Sequence, residues 1–121
     1  MTTKELLNLD YRNKQNKQII QKALSNIKPL SKYSDEEQIP FEVIEKFIHL
    51  MCYKYQIWIK SISLDSQVNE DYDVLRCEVV DESDLSTKQN IFGMCVYELY
   101  AKLVIYLWSE IKKESIKKRR K

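Results

Sequence analysis

The chain has 121 residues, 44% hydrophobic and 31% charged, with a single Gly and two Pro. Those proportions exclude fibrous and disordered classes, and the length suits one domain burying roughly two-thirds of its unfolded surface. The net charge of +2 is segregated: residues 1–34 carry seven Lys/Arg against two acids, 65–84 eight acids against one Arg, and 110–121 seven Lys/Arg against two Glu.

With so few turn formers, long elements joined by polar loops are expected. The first helix starts after Thr2 or Thr3 and runs to about Ile27. Leu6, Leu7, Tyr11, Ile19, Ile20, Ala23, Leu24 and Ile27 recur at helical spacing. The apolar pattern lapses over 12–18, so a break near Asn8 to Asp10 is expected, with Asp10 capping the restart. Pro29 ends the segment, because proline disfavours helical geometry in the residue before it.

Residues 28–39 read as a loop. A second helix follows with Pro40 at its first turn, and Phe41, Ile44, Phe47, Ile48, Met51 and Tyr55 form its apolar face. Near Tyr55 the period changes. Ile57 to Leu64 and Tyr72 to Val80 read as two strands paired in an antiparallel hairpin, with an acidic polar connection between them. A hairpin alone is marginal, so a helix must cover one face.

Asp81 to Lys88 is a second loop, with Asp84, Ser86 and Thr87 as candidate caps. The last helix then runs to Lys113 or beyond. Its run Leu103 to Trp108 is apolar on nearly all sides and predicts the central packing element. Glu98 and Lys102 stand in the favourable i,i+4 order. They also interrupt the longest apolar stretch, Ile91 to Trp108, which argues against a membrane span. The fold class is therefore α+β: two N-terminal helices, a short antiparallel β-hairpin and a long C-terminal helix. The whole of 1–121 reads as a single domain, with 114–121 a basic tail.

Candidate chemistry is thin. His49 and Cys52 are spaced i,i+3, and with Cys77 and Cys95 they make a three-Cys, one-His inventory. No close Cys knuckle accompanies them, so no metal is assigned. A Cys–His nucleophile would need an oxyanion-donor loop, and one Gly in the chain does not supply it. The acids Asp71, Asp73, Glu78, Asp81, Glu82 and Asp84 lack the spacing and central Gly of a calcium loop and read as an acidic rim. No cofactor is implied, and the chain reads as a non-enzyme. Three unpaired Cys and no apolar leader fit a cytoplasmic setting.

Two binding readings follow. Thirteen aromatics and a last helix with two apolar stripes point to a protein partner, with self-association expected. Ile105, Tyr106, Trp108 and Lys112 are the contact residues on this reading. The alternative is nucleic-acid binding through Arg12, Lys14 and Lys17 with the tail residues Lys117, Lys118, Arg119 and Arg120, because Lys and Arg neutralise phosphates. No helix-turn-helix, zinc-finger or aromatic RNA-binding signature accompanies them.

The stretch Ile91-Phe92-Gly93-Met94-Cys95-Val96-Tyr97-Glu98-Leu99-Tyr100-Ala101-Lys102-Leu103-Val104-Ile105 resembles the closing helix of small uncharacterised accessory proteins of phages and mobile elements. That resemblance implies an accessory role, such as a virion component or a regulator of a host system. It carries over no functional residue.

Overall fold

The computed structural model describes residues 2–55, 58–65, 74–80 and 85–119; residues 55, 58–65, 74 and 114–119 are described by their backbone. In chain order the elements are α1 (Thr3–Leu7), α2 (Lys14–Ser25), a short 3-10 helix (Lys28–Tyr33), α3 (Phe41–Tyr55), β1 (Trp58–Asp65), β2 (Val74–Val80), β3 (Thr87–Gly93) and α4 (Val96–Arg119). This is the expected α+β architecture, with one strand more than the hairpin alone.

The expected break in the first helix is present, but the cap differs. Asn13, not Asp10, starts α2: its Oδ1 accepts from the N–H of Gln15 at 2.8 Å and of Asn16 at 3.3 Å. Asp10 instead turns onto Arg12, accepting from its backbone N–H and from its guanidinium. That engagement removes Asp10 from capping. At α1, Thr2 Oγ1 accepts from Glu5 N and donates to Glu5 Oε1, so hydroxyl and carboxylate tie the first turn together. Part of the expected loop after α2 is wound: 28–33 forms 3-10 turns with Pro29 at their start, where a missing N–H costs little.

Strands β1, β2 and β3 form one antiparallel sheet in that order. The third strand corrects the expectation that Ser86 or Thr87 opens the last helix. Over 87–93 burial alternates toward the C-terminal end, with Ile91 and Gly93 inward and Phe92 outward. Gly93 makes the handover to α4 possible: a Cβ built there would sit 2.8 Å from Leu99 N, closer than a side chain tolerates.

Helix α4 is the central packing element. It contacts α1, α2, α3, β2 and β3. Ala101 to Leu107 is buried without interruption, and the buried side chains of the helices and the sheet form one cluster with it. Among the described residues, no helix is long and apolar enough to cross a membrane.

Candidate protein-binding groove

The C-terminal half of α4 leaves the core gradually. Ile105 and Tyr106 are still only 6% and 8% exposed, Trp108 is half-buried, and Lys112 is exposed. Ile105, Trp108 and Lys112 sit at i, i+3 and i+7, so they share one stripe. Tyr106 departs from that stripe and belongs to the core; burial pushes its phenol up to about 12.

The stripe lines a groove of about 730 Å³ between α1, α2 and α4. Its apolar surface comes from Leu6, Ile19, Ala23, Ile27, Ile105 and Trp108. Lys22, Lys112 and Lys113 supply its charges, and Thr3, Asn26 and Ser109 its neutral polar groups; among the described residues no acid joins the lining. Lys113 Nζ lies 3.4 Å from Glu110 Oε1, outside the lining, in an exposed pair of the kind worth little.

Trp108 is fixed on two sides. Its ring packs on Phe47 of α3 with centroids 6.0 Å apart and a tilt of 45°. Lys112 Nζ stands 5.8 Å from its ring centroid, within cation–π range. Among the described residues its buried Nε1–H finds no acceptor. A buried orphan donor costs about 1–3 kcal/mol. A native structure retains few such groups.

Of the basic residues of the nucleic-acid alternative, the described side chains are those of Arg12, Lys14 and Lys17, and each lies near an acid. Arg12 is engaged by Asp10, at 2.9 Å between guanidinium and carboxylate, and this pairing holds the Asp10 carboxyl below its ordinary value. Lys14 and Lys17 line a second groove, of about 840 Å³, whose other residues include Glu36 and Glu37. Acids in the same groove weaken its attraction for a phosphate backbone. Lys117, Lys118 and Arg119 continue the backbone of α4, while their side chains, and all of Arg120, lie outside the described residues.

The cysteines and the histidine differ in environment, and Cys52 and Cys77 are near enough for their charges to interact. His49 is exposed on α3, Cys52 half-buried, Cys77 buried and Cys95 exposed. Burial pushes the Cys77 thiol up to about 11, which favours the unreactive thiol form. Among the described residues no three His, Cys, Asp or Glu come together as metal ligands would. Of the acidic rim, Asp71, Asp73, Asp81, Glu82 and Asp84 lie outside the described residues.

Sequence reasoning places the contact surface on α4 and misses its other wall. Leu6, Ile19, Ala23 and Ile27 read as ordinary core positions by periodicity. The short α1 leaves part of that face uncovered, and Ile19 is 37% exposed.

Comparisons with known protein families, with curated proteins and with solved structures find no match.

Proposed function

We propose that this protein is a non-catalytic binding module that docks a protein partner in the groove between α1, α2 and α4. The observation that carries the reading is the groove's composition. Six apolar residues lie beside three lysines, with no acid among the described lining residues, and one wall is a half-buried Trp. Trp in a desolvated cleft with a polar rim is the usual anatomy of an interface anchor. The accessory or regulatory role implied by the likeness to phage and mobile-element proteins belongs to this proposal, as does a cytoplasmic setting.

The test is site-specific photo-cross-linking from Ser109, in the groove, against the exposed Ser31 as control. The reading expects protein adducts from Ser109 alone, lost when Ile19→Asp puts a charge on the exposed part of the apolar wall. Equal adducts from both positions, or adducts to nucleic acid, would refute it.

Self-association is supported by a different surface. Leu50 and Tyr53, one turn apart on α3, are 58% and 88% exposed. Single exposed apolar residues are ordinary, but two on one helix face offer a second copy adjoining surface to cover. Light scattering should give a dimer that Leu50→Lys with Tyr53→Lys returns to monomer. A monomeric parent chain removes this element and leaves the groove untouched.

A further inference from the structure

We infer that the occupant of the groove is an acidic amphipathic helix of another protein. This inference rests on the protein-binding reading above and names the partner's chemistry.

The helices that build the groove set the shape of what fits it. On α4 the lining runs from Ile105 to Lys113, a rise of about 12 Å, or two turns. On α2 it runs from Ile19 to Asn26, the residue that caps that helix. Both walls are therefore helical and about two turns long. The third wall, α1, is a helix of five residues and offers Thr3 and Leu6. Two long helices packed on each other, with a five-residue stub against α4, leave room for one further helix at this end. A helix presenting apolar residues at i, i+3 or i+4 and i+7 lays one face into such a cleft.

The lysines at the rim set the sign of the occupant's charge. Lys22 and Lys112 are exposed, one on each long wall, and no acid among the described residues lines this groove. Lys22 also borders the second groove that holds Glu36 and Glu37, so Lys112 carries the larger part of the charge preference. A helix with Glu or Asp flanking its apolar stripe would place carboxylates beside both ammonium groups. A basic or neutral helix would bury the same apolar area and gain nothing at the rim. A second copy of the chain would have to offer such a helix. The described helices do not: α1 is only five residues long, α2 carries no acid, and α3 carries Glu42 and Glu45 in its first two turns with Lys46, His49 and Lys54 beyond them. On α4, Glu98 is buried against Lys102, while Glu110 and Glu114 stand among Lys112, Lys113, Lys117 and Lys118.

The experiment is fluorescence anisotropy with a labelled helical peptide of about three heptads, Leu at its apolar positions and Glu at its flanking ones. A second peptide has Lys in place of Glu, and a short DNA duplex serves as competitor. The inference expects the Glu peptide to bind saturably and more weakly as salt rises, and the Lys peptide to bind at least about tenfold more weakly. Lys22→Glu with Lys112→Glu should weaken the Glu peptide by about tenfold or more, with circular dichroism unchanged because both side chains are exposed. Equal binding of both peptides, binding of neither, or indifference to the charge reversal overturns the inference. If that happens while Ser109 still cross-links to a protein, the occupant is wrong and the binding reading stands. If Ser109 also gives no adduct, both fail. Displacement of the Glu peptide by duplex DNA would instead assign the groove to nucleic acid.

Discussion

Lys102 Nζ lies 2.9 Å from Glu98 Oε2 inside the core, where the two residues are only 3% and 2% exposed. The ammonium also donates to Leu9 O at 2.9 Å and to Phe92 O at 3.5 Å. The other carboxylate oxygen accepts from Met94 N at 3.1 Å. One ion pair thus ties the link between α1 and α2, the end of β3 and the start of α4. Cys95 completes that start, its Sγ accepting from Glu98 N at 3.5 Å.

Removing one member should leave the other charged and buried. Lys102→Met is expected to lose about 3–5 kcal/mol, a large share of the roughly 5–15 kcal/mol typical of a domain. Urea denaturation measures it. Glu98→Gln combined with Lys102→Met should cost clearly less than the sum of the two single changes. Strict additivity would show that the pair is not coupled.

Alkaline stability carries a sign. Burial raises the phenols of Tyr11 and Tyr106 from 10.0 to about 12, and the Cys77 thiol from 9.0 to about 11. Between the ordinary and raised values the folded chain keeps a proton that the unfolded chain has lost. Each group's contribution is therefore fully present below its ordinary value and lost as pH rises through the raised one, at up to about 1.4 kcal/mol per pH unit. Denaturation midpoints should fall steadily from about pH 9 to about pH 12. Tyr11→Phe should flatten that fall above about pH 10. A flat profile in the parent chain contradicts the burial of these groups.

Gly93→Ala should cost about 2–3 kcal/mol, because the new methyl meets the backbone of Leu99 rather than a movable side chain. Thermal melting beside the parent chain measures the loss. A loss below about 0.5 kcal/mol would mean that β3 and α4 can separate freely.

Leu85 holds φ at 60°, the left-handed region, and is 68% exposed. Left-handed geometry strains a Leu by roughly 1–2 kcal/mol, while a Gly adds about 0.5–1 kcal/mol of chain entropy. Leu85→Gly should therefore raise stability by about 0.5–1 kcal/mol in chemical denaturation. A loss would place stabilising contacts on that side chain.

Much of the fold is legible from periodicity. The apolar face of α3, the change of period after Tyr55 and the wrapped core of α4 follow from residue spacing. Strand β3 is hidden because Ile91, Phe92, Val96 and Leu99 also fit a helical stripe. The single Gly is the contrary signal, since a glycine inside a helix costs about 1 kcal/mol. The direction of Glu98 and Lys102 is hidden too. Spacing shows that they can pair, but only the carbonyls of Leu9 and Phe92 around them turn the pair inward. Half of the groove is visible through Trp108. The other half depends on α1 being little more than one turn long, and turn chemistry at Asp10 and Asn13 decides that.

The most direct test of the groove is the indole N–H resonance of Trp108, assigned with a Trp58→Phe variant and followed by NMR as the Glu peptide is added. This resonance should move with the bound fraction, together with the amides of Ile19 and Ala23. Binding that moves the amides of Lys14 and Lys17 and leaves the Trp108 indole in place would contradict docking in this groove.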